Sequence, residues 1–432
     1  MSNDRQWGFR TRALHAGGMP DPTTGARAVP IYQSTSFVFE DTADAADLFA
    51  LQKYGTIYSR ISNPTNAAFE ERMASLEGGI GSVATASGQA AEFLTITTLA
   101  GAGDHVVAAS GLYGGTYTLF GTTLARLGLE TTFVDGTSVD AFAAAITSRT
   151  KCLYTEVIAN PSGAVADLRA LADLAHANGL PLVVDATFAT PYLCRPIEHG
   201  ADIVIHSATK FLGGHGTSIA GVVTEAGTFD WTASGRFDRF TETIPTYNGL
   251  QWHDNFGEYA FCTALRSEQL RDVGACLSPF NAFLLLQGIE TLPQRMENHV
   301  ANTRAVAEWL EADERVSWVN HADLANSPYR ELAARYLPNG AGAIFTFGVA
   351  GGREVGQRFI ENLQLISHLA NVGDAKTLVI HPASTTHQQL SDEQLAAGGV
   401  SPDMVRLSVG LEDVEDILWD IDQALTAAAK EV

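Results

Sequence analysis

Short, wholly apolar runs alternate with longer amphipathic segments between residues 64 and 225. Such runs form strands when helices cover both faces of a sheet, and the longer segments form those helices. Glycine closes the segments at 63–79 and 167–179, as it commonly does at helix ends. The pattern therefore predicts an α/β domain with a mostly parallel sheet. Strands are predicted at 82–87, 104–110, 130–135, 151–158, 180–186, 201–208 and 219–225, and helices at 63–79, 88–102, 116–128 and 167–179.

The periodic pattern is lost at 226–275, which is rich in Thr, Trp, Tyr, Asn and Asp, and we interpret this stretch as an inserted loop or elaboration. One long helix is predicted over about 279–312, leading to a second, smaller α/β unit. The chain thus divides into an N-terminal arm at 1–63, a large domain at 64–279 and a C-terminal domain at 280–432. Strands of the last part are predicted at 316–321, 343–349 and 404–410, and helices at 328–337, 354–363 and after 411.

The charge balance narrows the range of partners. There are 27 Lys and Arg against 49 Asp and Glu, a formal net charge of −22. A chain this acidic is a poor ligand for nucleic acid or an anionic membrane, so we expect neither as a partner. No apolar run approaches a membrane span, and the N-terminal residues lack an apolar signal core. The four cysteines are too scattered for a zinc knuckle or a disulfide framework, so we expect a reduced, cytoplasmic protein.

Polar residues stand at the ends of two predicted strands, 180–186 and 201–208, where open α/β sheets bind ligands. Asp185 ends one strand, and Lys210 follows the next, after the hydroxyls of Ser207 and Thr209. Taken singly, the acid is typical of a turn and the lysine of a solvated surface. Together, they supply an amine, an acid and an anion-binding site lined by hydroxyls, which are the groups that pyridoxal 5′-phosphate requires. A lysine bound to the cofactor would also avoid burial as a free ammonium.

The helix start after the strand at 82–87 offers a second phosphate contact. Ser87 is a good N-cap, and Gly88 leaves room for an anion at the backbone N–H groups. The same residue types are also typical of an ordinary capped helix that binds nothing. Neither a GxGxxG fingerprint nor a P-loop is present, which disfavours dinucleotide and nucleoside triphosphate binding. His381 and His387 lack helical zinc spacing and a third ligand, so we predict no metal site.

Four segments resemble the Cys/Met-metabolism family of pyridoxal-phosphate enzymes, which have fold type I. They are YSRISNPT (58–65), VVDATFATP (183–191), HSATKFLGGHG (206–216) and VRLSVGLED (405–413). The resemblance covers nearly the whole chain, in order. It implies that Lys210 carries the cofactor and acts in catalysis with Asp185 and Tyr113.

The same resemblance implies roles for the other residues of the site. Asp185 would pair with the pyridine nitrogen, and Tyr113 would stack on the ring. Asn160 would lie near the phenolic oxygen. Arg406 would bind the substrate α-carboxylate with help from Asn371. The phosphate would be held by Ser87, Gly88, Gln89, Ser207 and Thr209, with Tyr58 and Arg60 of a neighbouring subunit, where Tyr58 would also meet substrate.

The stretches 369–390 and 226–275 are most similar to the branch of the family that exchanges the γ-acetoxy group of O-acetylhomoserine for sulfide or a thiol. Methionine γ-lyases carry a cysteine where Gly115 stands, and cystathionine lyases an acid where Ala370 stands, so both are disfavoured. Cystathionine γ-synthase, methionine γ-lyase and a catalytically silent binding protein remain alternatives. The resemblance implies small-molecule substrates. It also implies a homo-oligomer, a tetramer built from dimers with shared sites.

Overall fold

Seven strands form one sheet: β1 (Gly81–Thr85), β2 (His105–Ala109), β3 (Glu130–Val134), β4 (Thr150–Glu156), β5 (Leu182–Asp185), β6 (Ile203–Ser207) and β7 (Gly221–Glu225). The computed structural model describes residues 7–160, 162–385 and 401–430. The strand order is β1-β7-β6-β5-β4-β2-β3. Strand β7 is antiparallel to both neighbours, and every other pair is parallel. The mostly parallel sheet predicted from the sequence is confirmed.

Five strands form a second sheet: β8 (Val316–Asn320), β9 (Ile344–Val349), β10 (Ser367–His368), β11 (Leu378–Ile380) and β12 (Met404–Ser408). Their order is β10-β11-β12-β9-β8, and only the β10–β11 pair is parallel. The sequence predicted β8, β9 and β12. It missed β10 and β11 because strands of two and three residues are too short to show an alternation of apolar and polar positions.

The helices cover both faces of the large sheet and pack beside the small one. Most predicted helices are found within a few residues of their predicted bounds, and Asn63 and Ser87 cap two of them. The α-helices of the described residues, predicted or not, are α1 (Phe9–His15), α2 (Thr42–Phe49), α3 (Pro64–Glu77), α4 (Gly88–Leu99), α5 (Gly114–Thr118), α6 (Val139–Ala145), α7 (Leu168–Ala177), α8 (Thr190–Leu193), α9 (Asp238–Thr241), α10 (Trp252–Phe256), α11 (Ala260–Ala264), α12 (Arg271–Val273), α13 (Pro279–Glu290), α14 (Leu292–Glu311), α15 (Arg330–Tyr336), α16 (Arg353–Glu361) and α17 (Val414–Lys430).

Two sequence predictions about helices were wrong. Of the two alternatives for 226–275, the loop was wrong, because the segment holds α9 to α12 with a π-helical turn at Leu265–Leu270. Its own aromatic side chains, among them Trp231, Phe240 and Phe261, pack together and are buried, and this burial stabilises short helices that lack a clear period. The single helix predicted over 279–312 is two helices, α13 and α14, which meet at Thr291 just before Pro293.

The apolar side chains form two main cores that meet on α14. The first core extends from the large sheet to Val300, and the second begins at Val306 on the same helix. Helix α13 lies against α3 and contributes Leu285 and Ile289 to the first core. The domain boundary at 279/280 therefore stays a prediction, and α14 connects the two cores.

The N-terminal arm begins on its own large domain. Ala13 of α1 is fully buried, and the Phe9 ring lies edge-on to Tyr192 at 5.5 Å between centroids. Farther along, Val38 and Tyr54 are 100% and 83% exposed. The later part of the arm therefore leaves large apolar side chains exposed on this chain.

Candidate active site

The carboxyl ends of β1, β4, β5 and β6 open into a cavity of about 270 Å³. This is where an open α/β sheet places its ligands. Segments from the C-terminal part of the chain close one side. The lining residues are Ser87, Gly88, Gln89, Glu92, Tyr113, Glu156, Ile158, Asn160, Asp185, Thr187, Phe188, Ser207, Thr209, Lys210, Ile219, Ala370, Asn371, Val372 and Arg406. All predicted site residues except Tyr58 and Arg60 are among them.

Lys210 lies in the turn that follows β6. Its Nζ donates a hydrogen bond to Oδ1 of Asn371 at 2.5 Å. Burial lowers the pKa of the Lys210 amine, and the positive charge of Arg406 lowers it further. No carboxylate in the described ranges forms an ion pair with this amine. The surroundings therefore favour a neutral, nucleophilic amine.

Asp185 ends β5 and belongs to a cluster of buried acids. Its Oδ1 accepts a hydrogen bond from the backbone N–H of Thr187 at 2.7 Å, and burial raises the pKa of its carboxyl group. Glu156 lies beside it in register on β4, and burial followed by the charge of Asp185 raises the pKa of Glu156. The same two causes raise the pKa of Glu92 on α4 to about 8. A cation at Asp185 would relieve this crowding of acids.

Two buried acids of the cavity, Glu92 and Glu156, were not predicted from the sequence. Glu156 accepts a hydrogen bond from the backbone N–H of Tyr113 at 2.7 Å, and so holds the loop that carries this ring. Glu92 accepts from Gln89 Nε2 at 3.0 Å and from Thr116 Oγ1 at 2.8 Å. An acid inside the apolar run of β4 was a usable signal for Glu156, because charged residues are rarely buried without a purpose.

The N-terminus of α4 faces the hydroxyls that follow β6. Ser87 Oγ accepts from the N–H of Ala90 at 3.1 Å, which leaves the N–H groups of Gly88 and Gln89 without an intrahelical acceptor. A Cβ at Gly88 would lie 2.7 Å from Cβ of Ser207, so only glycine permits this approach. Thr209 Oγ1 exchanges hydrogen bonds with the backbone of Ala220. The donor set suits a phosphate group.

Tyr113 stands at the cavity mouth, half exposed, at the start of α5. A Cβ at Gly115 would lie 2.4 Å from Cε1 of the Tyr113 ring. A side chain at position 115 would therefore displace the ring, which gives a physical reason for the glycine that the sequence carries there.

Arg406 enters the cavity from β12. Its Nη1 donates to Oδ1 of Asn160 at 3.2 Å, and burial lowers the pKa of the guanidinium. It makes no ion pair with an acid in the part of the chain that the structure describes. A half-buried guanidinium of this kind is suited to grip a carboxylate with two parallel hydrogen bonds.

Tyr58 and Arg60 lie outside the cavity of their own chain. The Arg60 guanidinium donates to the carbonyl of Arg271, the first residue of α12, and lies 5.6 Å from the centre of the Tyr58 ring. Tyr58 is 41% exposed. This placement leaves the predicted contribution to a neighbouring subunit as a prediction.

Other features of the described residues bear on the predicted exclusions. Among residues 7–160, 162–385 and 401–430, no three His, Cys, Asp or Glu side chains form a metal-binding group, and no helix is long and apolar enough to cross a membrane. His381 is buried, with Nδ1 hydrogen-bonded to Ser384 Oγ at 2.8 Å. His387 lies outside the described residues, as does the end of the 369–390 stretch.

The fold and the cavity together define a pyridoxal-phosphate enzyme of the α/β class. The residues present fit this cofactor: a buried amine, an acid at a strand end, and a helix N-terminus whose glycine makes room for an anion. The chain belongs to the family described as Cys/Met metabolism PLP-dependent enzyme, which it matches over residues 10–426.

Comparison with known proteins agrees with the fold and the cofactor. The chain is 51% identical to a homocysteine synthase of Schizosaccharomyces pombe over 422 residues, 97% of this chain and 98% of the relative. It is 50% identical to O-acetyl-L-homoserine sulfhydrylase 1 of Thermus thermophilus, covering 96% and 99%. A crystal structure assigned as an O-acetylhomoserine (thiol)-lyase from Campylobacter jejuni, containing N′-pyridoxyl-lysine-5′-monophosphate, superposes with a TM-score of 0.94 at 37% identity, covering 97% and 100%.

Proposed function

We propose that this protein replaces the γ-acetoxy group of O-acetyl-L-homoserine with sulfide, giving L-homocysteine and acetate. The observation that carries the proposal is the pairing of Lys210 with Asn371 in a cavity that Arg406 also enters. One amine can then act on the substrate carbons while a guanidinium holds its carboxylate. The names of the relatives, homocysteine synthase and O-acetyl-L-homoserine sulfhydrylase, describe this same exchange.

Each side chain of the cavity has a role in this reaction. Pyridoxal phosphate, when bound, supplies a carbonyl that bonds the substrate amine and a ring that accepts electrons from the substrate α-carbon. Asp185 holds the proton on the ring nitrogen. The helix start at Gly88 and Gln89, with Ser207, binds the phosphate. Arg406 grips the α-carboxylate, and Asn160 orients the guanidinium through their hydrogen bond.

Lys210 carries the protons. Its Nζ would remove the proton at Cα, give it up within the site so that the amine is neutral again, and then remove a proton from Cβ. Acetate would then leave Cγ with the bonding electron pair. Sulfide bonds to Cγ, and Nζ returns protons to Cβ and Cα. The phenol of Tyr113, at the cavity mouth, can donate a hydrogen bond to the departing acetate. In the overall exchange, hydrosulfide bonds to Cγ and acetate leaves it.

A shared site completes the proposal. Tyr58 and Arg60 would reach the cofactor phosphate and substrate of a neighbouring copy, because neither lines the cavity of its own chain. We therefore propose a dimer as the smallest active unit and a tetramer of two such dimers. All four cysteines are free thiols, three of them buried, which suits the proposed cytoplasmic location.

The choice of nucleophile tests the proposal. Purified protein with pyridoxal phosphate is given O-acetylhomoserine with sulfide, with cysteine, or with neither, and the products are quantified. We expect homocysteine and acetate with sulfide, at a higher kcat/KM than cystathionine formation from cysteine. Preference for cysteine would indicate a cystathionine γ-synthase, and a keto acid formed without any nucleophile would indicate a γ-lyase. The absence of a visible absorption band on cofactor addition would indicate a silent binding protein. O-succinylhomoserine in a parallel assay tests the leaving group.

A further inference from the structure

Helix α14 has a row of buried polar side chains on one face. Arg295, His299 and Thr303 are spaced four residues apart and are 6%, 0% and 0% exposed. Residues at this spacing share one face of a helix. Buried polar groups in folded proteins are hydrogen-bonded, so the partners of this row show what the helix holds in place.

Arg295 binds the segment that follows Lys210. Its Nη1 donates to the carbonyl of Phe211 at 2.7 Å, and its Nη2 to that of Leu212 at 3.3 Å. Nη2 also donates to Gly288 of α13 at 2.7 Å. No acid in the described ranges pairs with this guanidinium, so backbone carbonyls replace a counter-ion. A Cβ at Gly214 would lie 2.1 Å from Nη1, which shows how closely the turn surrounds the side chain.

His299, one turn farther along α14, binds the segment that follows Arg406. Its Nδ1 is 2.7 Å from the carbonyl of Val409, which directly follows β12. Burial lowers the pKa of His299 to about 4, so the ring is neutral and Nδ1 carries the proton it donates. The ring also contacts Phe211 edge-on, at 5.2 Å between centroids. His299 therefore touches both the lysine segment and the arginine segment.

The loop that carries Asn371 is bound between the same two segments. The backbone N–H of Gly373 donates to Ser408 Oγ at 2.9 Å, and that of Ala375 donates to the carbonyl of Gly214 at 2.9 Å. A Cβ at Gly373 would lie 2.8 Å from the backbone nitrogen of Phe211. The segments that follow Lys210 and Arg406 thus bind one face of α14, and the loop that supplies Asn371 is held between these two segments.

We infer that Arg295 and His299 are positioning residues that set the distance between the amine of Lys210 and the guanidinium of Arg406. The inference rests on the proposed function, in which the amine acts on the α-carbon of a substrate held by its carboxylate. Arg295 holds the segment that follows Lys210, and His299 holds the segment that follows Arg406. A displacement on either side would misplace the α-hydrogen relative to the base, and small misplacements are costly in catalysis.

Two substitutions and a matched control test the inference in the holoenzyme. They are Arg295→Lys, which keeps the charge but not the forked donor set, His299→Phe, which keeps the ring but not the donor, and Thr303→Val. Thr303 donates only to the carbonyl of His299 in its own helix, so its loss leaves both segments bound. The readouts are exchange of the substrate α-hydrogen for deuterium at saturation, and the Kd of L-norvaline from the change in visible absorption. L-Norvaline has the carboxylate and amine but no γ-leaving group.

The two positions should affect different quantities. His299→Phe should raise the Kd of norvaline by about threefold to thirtyfold, the range of coupling through a packed network, with a smaller effect on exchange at saturation. Arg295→Lys should slow exchange by a similar factor with a smaller effect on Kd. Thr303→Val should change neither by more than about twofold. A role in stability alone would move Kd and exchange together, in all three variants, and would overturn the inference.

A double-mutant cycle separates positioning from general damage. In an Arg406→Ala background, His299→Phe should change the norvaline Kd by less than about twofold, because the guanidinium that it positions is gone. An undiminished effect in that background would contradict the inference. If His299→Phe does not fold, His299→Gln, which retains a donor for Val409, should keep wild-type affinity, and a weakened Kd there counts against the inference. Wild-type protein that binds norvaline but makes no homocysteine would overturn the proposed function alone.

Discussion

The amine of Lys210 donates a hydrogen bond to the side-chain oxygen of Asn371, 161 positions later in the chain, at 2.5 Å. The bond joins the turn that follows β6 in the large sheet to the loop between β10 and β11. A neutral amide, rather than a carboxylate, is the acceptor. A carboxylate would stabilise the ammonium form and raise the pKa of the amine. A neutral amide does not oppose burial and the charge of Arg406, which both lower this pKa.

The charge of Arg406 should control the pH at which Lys210 reacts. Because that charge lowers the pKa of the amine, Arg406→Met should raise it, and the neutral amine should be reached only at higher pH. The measurement is the rate at which cofactor-free protein captures pyridoxal phosphate as a function of pH. Arg406→Lys keeps the cation and should leave the midpoint near that of wild type. A midpoint that is unchanged or lower in Arg406→Met would contradict this explanation.

Asp185→Asn should remove the electrostatic partner of the ring nitrogen while keeping the size of the side chain. We expect exchange of the substrate α-hydrogen for deuterium to fall by about 100-fold to 1,000-fold, the scale of losing one preorganised electrostatic contact. The melting temperature should change little, because an amide relieves the crowding of acids with Glu156. An Asp185→Asn variant with unimpaired exchange would exclude the proposed role.

Glu92 should make the cofactor-free protein less stable as pH rises. Its folded-state pKa of about 8 lies above the ordinary value of 4.5, because burial and the charge of Asp185 disfavour the carboxylate. The stabilising proton is fully present below the ordinary pKa and is lost as pH rises through the folded one. Glu92→Gln removes this dependence. Its melting temperature relative to wild type should therefore increase between about pH 5 and about pH 8.5.

A matched control accompanies the Glu92 measurement. Glu258 is exposed in the 226–275 segment, and Glu258→Gln should follow the wild-type curve across the same range. If Glu92→Gln and Glu258→Gln gave parallel curves, the buried carboxyl would not be a source of the pH dependence.

Mixing two inactive variants tests the shared site. Lys210→Ala and Arg60→Ala subunits should each be impaired alone, but a mixed dimer has one site with both Lys210 and Arg60 intact. Random exchange makes about half of the dimers mixed, so about a quarter of the wild-type activity should return. Mass spectrometry of the intact dimers confirms exchange. With exchange confirmed and no activity recovered, Arg60 would belong to the site of its own chain.

The sequence predicted the large sheet and the centre of the site because the signals there are local. Apolar runs mark β4, β5 and β6, and Asp185 and Lys210 stand directly at their ends. The roles of Tyr113, Asn160 and Arg406 came from resemblance to a family, since their segments carry no local mark of chemistry. The structure places all three in the cavity.

Other features depend on contacts that the sequence does not show. The helices of 226–275 owe their form to packing around Trp231, which overrides weak local preferences. Arg295 and His299 are four positions apart, a spacing that residues on one face of any helix share. Only the structure shows which backbone carbonyls they bind. Glu92 resembles an ordinary helix residue until the fold places it near Asp185.

The role of Lys210 can be tested by measuring homocysteine formation from O-acetylhomoserine and sulfide side by side in wild type, Lys210→Ala and Lys376→Ala. Lys376 has a side chain that is 71% exposed and does not line the cavity, so its loss should leave the rate unchanged. Wild type should form homocysteine and acetate in equal amounts. Lys210→Ala should lose about 1,000-fold or more, because the group that moves the protons at Cα and Cβ is absent. Homocysteine formation by Lys210→Ala at a rate near that of wild type would show that Lys210 does not move these protons.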